Sequence, residues 1–255
     1  MPLNTAMFAA GAVMLPNFGG GLTPTVIGAH QIYDPANARC TVATTAIPGS
    51  PHVRVTFTGD PAGDTLYLPY QPNEVHSMVL NGLPPGITGF VTANLSGCRF
   101  YIDQITGGGL VVYHANIQLT GGGVNPMLAA TETPGQALQL DALVGTARAY
   151  YQGPPHTLTL TPAATLGSPV YRNCIIREMN RKQAQGRSNL QYLSGTTVAA
   201  MLVGGAWQFH WQTWADFSYD RPLMAPKRLT HGKHHATPTA QALQALRVLD
   251  SGRFF

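Results

Sequence analysis

The chain has 255 residues, enough for one large domain with a substantial core. Charged residues are 10% of it, against an average of about 25%, and apolar residues are 44%, which excludes an intrinsically disordered chain. Gly 28 and Pro 20 without a Gly-X-Y period exclude collagen and point to many short strands, and no apolar run reaches membrane-span length. The formal net charge of +4 belongs to the second half: residues 1–127 carry −2 and residues 128–255 carry +6. Those basic residues are interleaved with apolar ones and form no long run, so no nucleic-acid partner is expected.

The first residues, MPLNTAMFAAGAVMLP, lack a basic n-region and read as mature sequence rather than a Sec signal. Residues 1–130 read as strands and turns, with Val53–Phe57 and Thr65–Leu68 alternating between Gly/Pro/Asp clusters. Gln104–Leu110 resembles Gln118–Val124, which reads as two Gly-rich turns bounding one strand from Leu110 to Leu119. A helix is expected from about residue 134, where Thr133 can cap, Pro134 suits the first turn and Gln136 completes a capping box. Leu140, Leu143, Val144 and Ala147 form its apolar stripe. A second helix is expected over 171–185, with Ile175, Ile176 and Met179 inward and Arg172, Arg177, Arg181 and Lys182 solvated. A hairpin follows, Thr196–Val203 and Ala206–Trp214 about a Gly204-Gly205 turn, with Trp207, Phe209 and Trp211 on one core-facing side. A last helix is expected after Thr237 and Pro238, burying Leu243, Leu246 and Leu249 and ending at Gly252. No composition break marks a linker. The expected fold is therefore α+β: a single domain over residues 1–255 with a mixed or antiparallel, sandwich-like sheet core flanked by helices.

The three cysteines, Cys40, Cys98 and Cys174, are odd in number and far apart, so free thiols are expected rather than a disulfide framework. Only Cys98 sits in an informative setting, Thr92-Ala93-Asn94-Leu95-Ser96-Gly97-Cys98, followed by a hairpin that carries His114. A cysteine nucleophile needs an imidazole to take the thiol proton and later protonate the leaving group. If Ile105-Thr106-Gly107 is a three-residue loop, Cys98 faces His114 across the pair and the two side chains share a face. If Thr106–Gly109 is a four-residue loop, Tyr101 faces His114 and Cys98 lies three positions away. Turn chemistry permits both. Ser96-Gly97 allows an irregular turn whose backbone N–H groups could face an oxyanion, and a neighbouring imidazolium would lower the thiol pKa.

Leu95-Ser96-Gly97-Cys98 with a histidine on the following hairpin resembles the signature of the cytotoxic necrotizing factor and Burkholderia lethal factor group. Those are bacterial toxins that deamidate protein glutamine. The resemblance covers roughly residues 90–118. It implies Cys98 as nucleophile and His114 as general acid/base. Thr92 would be the third element, orienting the imidazole through a backbone carbonyl, with Gly97 and the Cys98 backbone as oxyanion donors. It also implies a virulence protein secreted by a bacterium and acting in the host cytoplasm on a Rho-type GTPase or a translation-initiation helicase, the latter inhibiting translation. The expected protein is monomeric and needs no cofactor. The same pair of residues could instead serve a transglutaminase or a cysteine peptidase. A non-catalytic β-rich binding module, using the Trp207–Trp214 strand, is the remaining alternative.

Other candidates carry less. His231, His234 and His235 have no carboxylate nearby and a glycine between them, so no metal is expected. His210 is expected to be exposed on a polar strand face. His30, His52, His76 and His156 are expected in loops or beside Gly or Pro, without partners. The eleven acids are scattered, and Gly19-Gly20-Gly21 lacks the rest of a phosphate-binding loop. Cys40 and Cys174 are read as core or surface thiols. A solvated face is the expectation for Arg172 to Arg187, the alternative being a surface that steers an acidic partner.

Overall fold

The computed structural model describes residues 13–18, 22–46, 53–95, 97–117, 133–186, 188–221 and 241–255. Among the described residues, two mixed sheets and two helices form an α+β sandwich, as the sequence implied. The first sheet has the order β1 (Val13–Phe18), β5 (Val53–Gly59), β4 (Arg39–Ala46), β6 (Thr65–Leu68), β8 (Gly89–Thr92), β12 (Ser188–Val203), β13 (Ala206–Arg221) and β14 (Gln241–Arg253). The second has the order β11 (Leu160–Leu166), β9 (Arg99–Ile105), β10 (Leu110–Ala115), β7 (Val75–Leu80), β3 (His30–Tyr33) and β2 (Thr25–Ile27). Parallel pairs β1/β5, β6/β8 and β3/β7 sit among antiparallel ones.

The main core lies between the sheets. Leu66, Leu68, Phe90, Val198, Ala200 and Phe209 of the first sheet meet Met78, Phe100, Ile102 and Val112 of the second, all fully buried. Trp207, Phe209 and Trp211 point into this core, as their alternation predicts. The turn between β12 and β13 is the two-residue Gly204-Gly205, with φ of 60° and 83°, values that glycine adopts without strain.

Helix α1 (Pro134–Gln152) starts at the expected capping box: the Thr133 hydroxyl accepts from the Gln136 N–H, and the Gln136 side chain accepts from the Thr133 N–H. Its Leu140, Val144, Ala147 and Tyr151 pack on the outer face of the second sheet, against Tyr101, Val111 and Tyr113. Beneath it, Arg148 grips the buried Asp103 of β9 with two hydrogen bonds of 2.7 and 2.8 Å. Helix α2 (Ser168–Ala184) buries Tyr171, Cys174, Ile175 and Met179, the last three against Ala215 and Phe217. Those two share the inward face of β13 with Phe209 and Trp211, so α2 continues the core past the end of the second sheet.

Three expectations are corrected. The chain after 240 is a strand, not a helix: β14 pairs with the free side of the long β13 from Arg221↔Gln241 to His210↔Arg253. The helical spacing loses to an unpaired edge whose backbone groups need partners. Leu249 still packs inward, against the α2 cluster, and Gly252 lies in the strand where a Cβ would meet the Trp211 indole at 3.0 Å. Thr237 and Pro238 lie outside the described residues. Lys182 is buried, not solvated; its ammonium sits 4.8 Å from the Phe217 ring centroid and 3.7 Å from Glu178. His210 is half-buried rather than exposed.

Candidate active site

The Thr92–Cys98 segment carries the chain from one sheet to the other. Thr92 ends β8 in the first sheet, Leu95 makes an isolated bridge to Thr196 of β12, and Cys98 leads into β9 of the second sheet. Such a crossing cannot continue either ladder, so other groups satisfy it. Gly97 has φ of 103°, a left-handed conformation suited to glycine. Its N–H donates to the Tyr171 hydroxyl at 3.1 Å, and that hydroxyl donates to the Cys98 carbonyl at 2.7 Å. Tyr171 thus fastens the turn to the first coil of α2. Ser96 lies outside the described residues.

The β9–β10 register decides the relation of Cys98 to His114. Phe100 faces His114 and Ile102 faces Val112, which leaves Thr106-Gly107-Gly108 as the loop. Both registers considered from sequence are displaced. The three-residue loop is present but moved one residue along the chain, because three successive glycines with positive φ (Gly107, Gly108, Gly109) accept either placement. Continuing the register sets Cys98 opposite Asn116 rather than His114. His114 is therefore the diagonal neighbour of Cys98 on the same face, the face that also carries Phe100, Ile102 and Val112 into the core. Diagonal neighbours stand about 7 Å apart, within reach of a long or aromatic side chain.

The sulfur and the imidazole are both fully buried. The Asn116 amide Nδ2 donates to the Cys98 Sγ at 2.7 Å. Neither ring nitrogen of His114 has a hydrogen-bond partner among the described residues; the ring stacks on Tyr70, 5.2 Å between centroids and 17° between planes. Burial lowers the His114 pKa to about 3, with neighbouring His76 adding repulsion. The ring is neutral near pH 7 and does not supply the positive charge expected beside the thiol. Thr92 is buried in the first sheet, where its hydroxyl donates to the Ala93 carbonyl at 2.6 Å. The Gly97 N–H, an expected oxyanion donor, is engaged by Tyr171.

Two further histidines are far from solitary. His76 faces His114 across β7/β10. Its Nε2 accepts from the Gln71 N–H at 2.8 Å, so the proton is on Nδ1 and faces the Tyr33 hydroxyl at 3.2 Å. Burial lowers its pKa to about 4, so Glu74, 3.3 Å from Nε2, faces a neutral ring. His30 lies on the other side of the sheet with Nε2 2.6 Å from the Ser77 hydroxyl, which contacts Tyr151 at 2.7 Å. Burial lowers its pKa to about 4 as well. The expectation that His30, His76 and His156 are unpartnered is thus corrected; His156 meets the Tyr150 hydroxyl at 2.8 Å. Local composition hid the contacts of His30 with Ser77 and of His76 with Tyr33 because those partners are distant in sequence. His52 and the His231/His234/His235 group lie outside the described residues.

Cys40 and Cys174 are buried structural thiols whose pKa values burial raises to about 12 and about 11. Arg172 is half-buried, with Nη1 3.8 Å from where a Cβ on Gly97 would sit. Arg177 approaches Asp250, and Arg181 and Arg247 converge on Glu178. Sequence reasoning missed Asn116, though its place two residues after His114 put it on the same strand face. Tyr70 and Tyr171 had no local signal. A cavity of about 690 Å³ opens at the opposite end of β9, between the 81–87 loop, the β9–β10 turn and Trp207. Six strand residues, about 20 Å, separate it from Cys98. Among the described residues, no three His, Cys, Asp or Glu side chains converge as a metal site, and no helix is long and apolar enough to cross a membrane. No protein-family model and no curated protein matches this chain.

Proposed function

We propose that this protein is a cysteine-dependent protein-glutamine deamidase, a toxin or effector in which Cys98 is the nucleophile and His114 the general acid/base. The observation that carries the reading is the placement of both side chains on one interior face of adjacent strands, directly after the left-handed Gly97. The Leu95–Cys98 motif supplies the resemblance to the lethal factor group.

The chemistry follows from the neutral imidazole. On approach of a glutamine carboxamide, His114 takes the thiol proton as sulfur attacks the carbonyl carbon. The C–N bond then breaks, the imidazolium returns its proton to the departing nitrogen, and ammonia leaves a thioester on Cys98. Water, deprotonated by His114, hydrolyses the thioester to glutamate and regenerates the thiol. A neutral ring beside a thiol avoids holding an ion pair in a desolvated site before substrate arrives. The Cys98 backbone N–H and, once released from Tyr171, that of Gly97 stabilise the tetrahedral oxyanion.

The resting site is closed. Tyr70 is the half-buried ring lying on His114, and it belongs to the 69–74 segment, in which residues 71–73 are exposed. Turnover includes its displacement. Substrates are a host Rho-type GTPase or translation-initiation helicase, as the resemblance implies.

The test is incubation of each recombinant substrate protein with wild-type enzyme and with Cys98→Ser, followed by peptide mass spectrometry. A gain of about one mass unit at a glutamine, absent with Cys98→Ser, supports the reading, since hydrolysis of the acyl-enzyme exchanges nitrogen for oxygen. An amine adduct would indicate transglutamination and a shortened chain proteolysis. Equal glutamine deamidation by Cys98→Ser would overturn the assignment.

A further inference from the structure

The Cys98 sulfur lies in a desolvated interior on the same strand face as a neutral histidine, an environment that disfavours a thiolate unless another group stabilises it. Asn116 is a group so placed. It lies opposite Cys98 in the continued register, and its Nδ2 reaches Sγ at 2.7 Å. Its own position is fixed, because its main-chain N–H donates to the Glu74 carbonyl at 3.0 Å and the residue is buried. A second observation marks this face as more than packing: His114, fully buried on the same face, leaves both ring nitrogens without a partner among the described residues. A purely structural interior rarely tolerates that.

We infer that Asn116 is a positioning residue that stabilises the Cys98 thiolate through its side-chain amide, a role the sequence assigned to a charged histidine. This rests on the reading of Cys98 as nucleophile. An amide N–H donates more strongly to an anionic sulfur than to a neutral thiol, so the bond favours ionisation while fixing the sulfur's direction. It leaves His114 uncharged and free to take the proton, separating the group that steadies sulfur from the group that moves protons.

The test is a thiolate absorbance titration of the whole protein without substrate, with Cys98→Ser as the blank. It compares wild type, Asn116→Ala and Asn116→Asp. The Cys98 midpoint should rise by about one pH unit or more in Asn116→Ala, a tenfold loss of thiolate at fixed pH. It should rise further in Asn116→Asp, which keeps the shape but replaces a donor with an anion. A midpoint unchanged in both variants overturns the inference. If one variant does not fold, judged by circular dichroism, the other carries the comparison, and Asn116→Ser replaces both if neither folds, with a raised midpoint again expected. The titration is separable from the enzymatic reading. Shifted midpoints in a protein that deamidates nothing would leave the Asn116–Cys98 coupling standing and remove the function; unmoved midpoints with Cys98-dependent deamidation would do the reverse.

Discussion

Acid should destabilise this fold steeply between pH 6.5 and 4. His30, His76 and His114 are buried with pKa values lowered to about 4, about 4 and about 3, while unfolded histidine titrates near 6.5. Below pH 6.5 the unfolded chain therefore binds protons that the folded chain refuses, and stability falls with pH until the folded rings also titrate. Each unmatched proton is worth about 1.4 kcal/mol per pH unit, so at pH 5 each ring has cost about 2 kcal/mol relative to neutral pH. Three rings together cost about 6 kcal/mol, comparable with the whole stability of a typical domain. The assay is urea unfolding at pH 7.5, 6.0 and 5.0. Replacing one ring, as in His114→Phe, should remove about a third of the slope. Stability that is flat from pH 7 to 5 would refute the reasoning and mean that these rings are charged or solvated.

Other consequences are local. Arg148→Ala leaves the Asp103 carboxylate buried without its partner and should cost about 3–5 kcal/mol in denaturant unfolding; a loss below about 1 kcal/mol would place the pair among weak surface bridges. Gly63→Ala sets a Cβ onto the Cys40 backbone and should sharply lower the melting temperature, whereas Gly82→Ala, with open space at the Cβ, should pay only for its left-handed φ of 59°. Tyr70→Ala uncovers the His114 ring, so iodoacetamide should reach Cys98 faster than in wild type while Cys40 and Cys174 label as before. An unchanged Cys98 rate would show that access runs elsewhere.

Patterns held within one element were legible in the sequence. The Thr133/Gln136 box, the Gly204-Gly205 turn and the inward Trp207, Phe209 and Trp211 were each readable because local geometry alone settles them. What failed depended on partners far along the chain. Gln241–Arg253 spells a helix until β13 offers it an unpaired edge. Lys182 looks like a solvated cation until Phe217 and Glu178 close over it. At the site, the shared face of Cys98 and His114 followed from the three-residue loop but not from the four-residue loop, and turn chemistry left both open; the observed three-residue loop keeps the parity that puts them on one face. The one-residue displacement was not readable, because Gly107, Gly108 and Gly109 set no preference. That displacement exchanged His114 for Asn116 opposite the sulfur.

The pairing of Cys98 with His114 is tested most directly by iodoacetamide, itself a small carboxamide, followed cysteine by cysteine by peptide mass spectrometry at neutral pH. The account predicts that Cys98 reacts at least about tenfold faster than Cys40 or Cys174, whose raised pKa values keep them as thiols, and that His114→Ala removes the advantage. Three equally sluggish cysteines, or a Cys98 rate indifferent to His114, would contradict it.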